Sequence, residues 1–288
     1  MRLATLPILL GLASLGTAQE RIRDVVYLKQ AGTAFTLDVF KPARPNGITV
    51  VHLVSGGWVS DHSGINPVLA QGANAAGFTM VQVVHGAQPR YKVPEIVGQV
   101  QRAVRYLRAN ASQYGIDPAR IGLTGGSAGG HLSLMIGALH AGGNPNAADP
   151  VERFPARVGA IGVFFPPTDF TSYGKDRLFA FDNPLLRDGY GNAFVPDIKT
   201  ASPDVLSTLA KDLSPALRFT KDTPPVLLVH GDKDLLVPIQ QSELALKRLQ
   251  DLGVKSKLVT VPGAGHGWPD MAPQFLQILD WFREHLKG

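Results

Sequence analysis

The sequence contains no cysteine. That excludes a disulfide framework, a thiol nucleophile and a thiolate metal centre. It also lacks an H-E-x-x-H helix and any cysteine–histidine cluster at ligand spacing, so no metal and no organic cofactor is expected. Charged residues are only 18% of the 288, and the net charge of +5 is scattered rather than gathered in a long basic run. Neither a nucleic-acid partner nor a disordered chain fits that composition. Long hydrophobic runs are absent too: the apolar stretch at residues 3–15 is too short for a comfortable membrane span. With Arg2 before it and the small residues Gly16, Thr17 and Ala18 after it, the stretch reads as a signal peptide occupying residues 1–18. The expected protein is secreted or periplasmic, with no stable membrane association.

What is present is an apolar chain, 44% hydrophobic, in which strand and helix signals alternate. Residues 25–28 and 35–40 read as an opening hairpin. Continuous apolar runs at 48–54, 78–84, 119–124, 158–165 and 226–230 read as buried parallel strands, with a last strand at 257–261. Helices are expected at 66–77, 94–112, 128–141, 239–252 and 275–286. The pattern predicts an α/β fold: a mostly parallel central sheet with helices on both faces, in a single domain over residues 19–288. Residues 170–223 break the rhythm. Rich in Asp, Pro, Ser and Gly, they predict a small cap or lid inserted over the site.

The run from Ile121 to His131 contains G-x-S-x-G, with Gly125, Ser127 and Gly129 in the fixed places. A strand precedes it and a helix follows it. That context places the Ser127 hydroxyl on a sharp strand-to-helix turn at the top of a sheet. A serine needs a base, usually a histidine oriented by a carboxylate. Among the later histidines, His266 lies on a glycine-bracketed loop after the last strand and is the expected base. His131 is expected to pack locally, His230 to satisfy a backbone group, and His285 to lie on the surface. The acid lies in the stretch from His230 to Pro238, where Asp232 and Asp234 both qualify by spacing.

From residue 25 onward the chain resembles the alpha/beta-hydrolase superfamily, in its esterase/lipase branch, and within it bacterial secreted carboxylesterases related to feruloyl and acetylxylan esterases. The resemblance rests on G-G-S-A-G-G-H, H-G-D-x-D-x-x-V-P and G-x-G-H-G-W. It implies Ser127 as nucleophile, Asp234 as the acid and His266 as the base. One oxyanion donor is expected from the Ala128 N–H, next to the serine. The other is expected from the turn after the 48–54 strand. There the family's H-G-G-x-W is replaced by Val54-Ser55-Gly56-Gly57-Trp58, so either Gly56 or Gly57 is the donor. His85-Gly86-Ala87-Gln88-Pro89 replaces the relatives' Y-R-L-A-P and Gln99 their aspartate, so both partners of an expected charge pair are missing together. Asp169 is expected to stabilise a turn. Trp58, Trp268 and His62 are candidates for lining the substrate pocket.

The function these residues imply is a secreted serine hydrolase of carboxylic esters. Its partner would be a small-molecule or polysaccharide-linked ester substrate. Two alternatives carry the same fold: a serine peptidase, and a non-catalytic binding protein built on the scaffold.

Overall fold

The computed structural model describes residues 20–287; the expected signal peptide at residues 1–18 lies outside the described residues. In chain order the elements are β1 (Glu20–Gln30), β2 (Thr33–Lys41), β3 (Thr49–Val54), α1 (Pro67–Ala75), β4 (Thr79–Val84), α2 (Val93–Ala109), α3 (Ala111–Tyr114), β5 (Ile121–Gly126) and α4 (Ala128–Leu139). They continue as β6 (Ala160–Phe164), α5 (Pro184–Tyr190), α6 (Pro203–Asp212), α7 (Pro215–Arg218), β7 (Val226–Gly231), α8 (Gln240–Asp251), β8 (Ser256–Val261) and α9 (Ala272–His285). One sheet takes the order β1-β2-β4-β3-β5-β6-β7-β8. The β1–β2 and β2–β4 pairs are antiparallel, and every pair from β4 to β8 is parallel.

The interior parallel strands are buried on both faces and read as mostly apolar runs, while the edge strand β8 has no buried residue. Apolar residues of α2, α4 and α8 build the core on one face, while those of α1 and α9 build it on the other. β1 is longer than its sequence signal because only Tyr27 of that strand is buried, leaving little apolar pattern to read. The helix expected at 94–112 is two helices. Asn110 separates them, and its side-chain amide donates to the Tyr106 carbonyl at 2.8 Å, competing with the helical ladder. The helix that follows Ser127 stops at His140, whose backbone is left-handed at φ 45°.

Residues 170–223 carry α5, α6 and α7. Phe170, Phe181 and Phe194 pack ring against ring, at 5.0 Å between Phe170 and Phe194 and 4.9 Å between Phe181 and Phe194. Phe194 in turn meets Trp58 at 5.1 Å. The insertion therefore shares the main core instead of resting on its surface. Gln99 is buried, and its Oε1 accepts the Gly86 N–H at 2.8 Å while its Nε2 donates to Gln30 at 3.3 Å. A neutral amide here does the holding that a charge pair was expected to do in relatives.

Candidate active site

Ser127 sits between β5 and α4 with φ 51° and ψ −119°. A non-glycine residue in this region is strained, and it persists only where its surroundings hold it. Here the Ser127 N–H is tied to the Phe164 carbonyl at 3.0 Å. Gly129 lies against β3, where an added Cβ would come within 2.9 Å of the Leu53 carbonyl oxygen. The turn is tight because glycine lets the two backbones touch.

Asp234 and His266, the expected acid and base, come from adjacent loops at the ends of β7 and β8. His266 Nδ1 donates to Asp234 Oδ2 at 2.7 Å. Asp234 Oδ1 accepts the N–H groups of Leu236 and Val237, each at 2.9 Å. His230 is fully buried: its Nε2 donates to the Val237 carbonyl at 2.7 Å and lies 3.4 Å from Asp234 Oδ2, while its Nδ1 accepts from the Ser242 hydroxyl at 2.7 Å. Burial alone would raise the pKa of Asp234. The hydrogen bonds from His230, His266 and the Val237 N–H outweigh it and hold the carboxyl well below the usual carboxylate range. Asp234 thus stays charged and fixes the tautomer of His266, leaving Nε2 as the free nitrogen.

Asp232, the other carboxylate of the stretch, is not part of that contact. Its Oδ1 accepts the Gly263 N–H at 2.7 Å, and the neighbouring Lys233 N–H donates to Ala264 O at 2.9 Å. These bonds join the acid loop to the base loop. The two loops approach closely enough that a Cβ on Gly231 would strike the Ala264 carbonyl.

Ser127 and His266 border one cavity of about 640 Å³, together with Gly56, Gly57 and Phe165. The Ser127 hydroxyl makes no hydrogen bond among the described residues, so the His266–Asp234 link is closed and the Ser127–His266 link is open. Phe165, left-handed at φ 37°, packs its ring 4.5 Å from the His266 ring. Gly56 and Gly57 behave differently. The Gly56 N–H is consumed by the Val59 carbonyl at 3.0 Å. The Gly57 N–H carries no backbone bond among the described residues, as does that of Ala128 at the first turn of α4. Gly57 and Ala128 both border a second, smaller cavity beside Ser127.

Trp58 is buried, and only its edge reaches that smaller cavity. Its Nε1 donates to His131 Nδ1 at 3.2 Å, and His131 Nε2 donates to the Leu213 carbonyl at 2.7 Å. His131 is therefore no local packer: it bridges the glycine turn, α4 and the far end of the insertion. Burial lowers its pKa to about 4, so it stays neutral. Trp268 borders neither cavity; it packs 6.0 Å from Phe165 and bonds Gln274 at 3.1 Å. His62 turns away to Thr36, 2.8 Å distant. His285, expected at the surface, is largely covered, its ring 4.1 Å from that of Trp281. Asp169 closes a turn by accepting from the Thr171 N–H and hydroxyl at 2.8 and 2.6 Å.

Sequence reasoning missed Tyr190, Leu236 and His52, which also border the cavities. Tyr190 ends the short helix α5 of the insertion and Leu236 lies in a loop, and neither has a sequence pattern to reveal it. His52 had one: it is a polar residue interrupting the apolar run of β3.

A mostly parallel sheet with a strained serine turn, and an Asp–His pair on the loops of the last two strands, defines an alpha/beta-hydrolase. The BD-FAE family model matches residues 37–249, and the chain belongs to that family. The chain is 28% identical to Esterase LipC of Mycobacterium tuberculosis over 240 residues, covering 81% of this chain and 56% of that protein. It is 25% identical to an acetylxylan esterase of Xylanibacter ruminicola, over 96% of this chain and 53% of that one. The chain thus spans about half the length of the named relatives it matches. A truncated carbohydrate esterase from gut microbiota superposes with a TM-score of 0.79 at 24% identity, covering 93% and 97% of the two chains. An esterase of Thermogutta terrifontis does so with a TM-score of 0.70 at 23% identity, covering 92% and 91%. Both structures share the fold.

Proposed function

We propose that this chain is an exported serine hydrolase of carboxylic esters. The observation that carries the reading is one cavity bordered by both a strained serine and a histidine whose other nitrogen is held by a buried carboxylate. In this reading Ser127 Oγ attacks the ester carbonyl carbon and His266 Nε2 takes the hydroxyl proton. Asp234 stabilises the imidazolium that forms. The N–H groups of Ala128 and Gly57 receive the developing oxyanion. Collapse breaks the bond to the alcohol oxygen, which takes the proton from His266. Water then attacks the acyl-serine by the same route, releasing the acid and restoring Ser127. The esterase names of the relatives support this reading, and the N-terminal segment at residues 1–18 supports export.

The test is hydrolysis of p-nitrophenyl acetate by the protein and by Ser127→Ala. The variant is expected to lose at least about 10³-fold in kcat while melting like the parent. Equal activity in the two proteins would refute the serine mechanism.

A further inference from the structure

The turn that presents the Gly57 N–H is held closed against a conformational preference. Gly56 and Val59 join its ends by two mutual backbone bonds, Gly56 N–H to Val59 O at 3.0 Å and Val59 N–H to Gly56 O at 2.9 Å. The two residues between them are both left-handed, Gly57 at φ 55° and Trp58 at φ 60°. Glycine adopts that conformation freely, but a bulky side chain does so rarely. Trp58 persists there only because its surroundings hold it. The turn matters to the reaction because the Gly57 N–H belongs to the same peptide as the Gly56 carbonyl. Keeping that carbonyl on the Val59 N–H fixes the direction in which the Gly57 N–H points.

Gln88 grips the peptides on both sides of Trp58. Its side-chain Nε2 donates to the Gly57 carbonyl at 3.2 Å, and its backbone N–H donates to the Trp58 carbonyl at 3.0 Å. Those two bonds restrain the backbone on either side of the left-handed residue. The indole is held separately, by its bond to His131. Other residues that depart from the relatives' motifs do no such holding with their side chains. The Ser55 hydroxyl and His85 Nε2 are buried and make no hydrogen bond among the described residues. Gln88 stands where the relatives' Y-R-L-A-P has alanine, which carries no side-chain donor. The side-chain half of the grip is therefore this chain's own.

We propose that Gln88 is a positioning residue for the oxyanion donor Gly57, acting through the Gly57 carbonyl. This rests on the esterase reading above. Gln88 borders neither cavity at Ser127, so it acts on the turn and not on the substrate. An oxyanion donor is aimed at the place where the oxyanion will sit, not at the ground-state carbonyl oxygen. A small misplacement of the Gly57 N–H therefore costs the transition state more than the bound ester. Loss of the Gln88 side chain should lower kcat and leave KM nearly alone.

The experiment compares p-nitrophenyl acetate with its thionoacetate counterpart, in which sulfur replaces the carbonyl oxygen and seats poorly in a hole shaped for oxygen. Gln88→Ala should lose about tenfold in kcat on the oxygen ester, with KM changed by less than about twofold. On the thionoester the loss should stay under about twofold, so the preference for oxygen over sulfur shrinks. Gln88→Met fills the same space without a donor and should behave like Gln88→Ala. Gln88→Glu keeps the shape but turns an acceptor toward the Gly57 carbonyl, and it should be at least as slow. Melting should fall by no more than about 4 °C in Gln88→Ala and Gln88→Met, as suits one lost hydrogen bond. Parental kcat in Gln88→Ala, an equal loss on both esters, or recovery in Gln88→Met would overturn the proposal while leaving the esterase reading intact. A folded parent protein inactive on both esters, or one unaffected by Ser127→Ala, would overturn both.

Discussion

The serine half of the site and the histidine half are held in place by different forces. Around Ser127 the support is packing. Trp58, His131, Phe170 and Phe194 form an aromatic cluster within the main core, and the insertion is glued to it. Around His266 the support is a ladder of single hydrogen bonds between two loops: Asp232 to Gly263, Lys233 to Ala264, and Asp234 to His266. The two halves should therefore fail differently. Damage to the first half unfolds the protein; damage to the second leaves a folded protein with a slow reaction.

The sharpest test of that contrast is Asp234→Asn. It keeps the size and the backbone bonds but releases the tautomer of His266. A loss of about 10⁴-fold in kcat, roughly 5 kcal/mol of transition-state stabilisation, is expected on p-nitrophenyl acetate from a protein that remains folded, though with a lower melting temperature because the bonded Asp234 charge contributes to stability. On the other side, His131→Gln removes the bridge between Trp58 and Leu213. Urea titration should show a loss of about 2 kcal/mol in stability.

The same histidine gives the contrast a pH signature. Its folded pKa of about 4 lies below the ordinary 6.5, so between those values the unfolded chain binds the proton and the folded one does not. Stability is complete above pH 6.5 and declines as the pH falls toward 4. In His131→Gln the decline should be shallower, with the remainder carried by other buried histidines such as His85. The smallest effect is expected from Asp232→Ala, which unfastens the base loop from the acid loop. kcat should fall about tenfold, about 1.4 kcal/mol, with melting unchanged. A large loss of stability there would erase the distinction between the halves.

Much of this was legible in the chain. The interior parallel strands announced themselves because burial on both faces demands mostly apolar runs, and the Ser127 turn because only glycine permits its close contacts. What escaped has physical reasons as well. Asp232 and Asp234 are the same residue type two positions apart, and spacing carries no information about which one turns inward. Gly56 and Gly57 are likewise alike until the Val59 carbonyl takes one of their N–H groups. The bonds of His131 reach Leu213, 82 residues away, and no local pattern encodes that distance. Trp58 and Trp268 each suit a pocket wall or a core. Trp58 went mostly into the core, and Trp268 was placed beneath Phe165.

The sequence by itself determined the order of strands and helices outside residues 170–223, the position of the serine turn, and the loops that carry Asp234 and His266. These follow from local backbone constraints and from the periodicity of burial, which act over a few residues. Spacing left the two aspartates open and only the motif resemblance pointed to Asp234; the tertiary structure alone decided which glycine N–H is left free and that Tyr190 of the insertion borders both cavities beside Ser127. Each of these depends on distant segments meeting, where one donor, one carbonyl or one ring excludes the alternative.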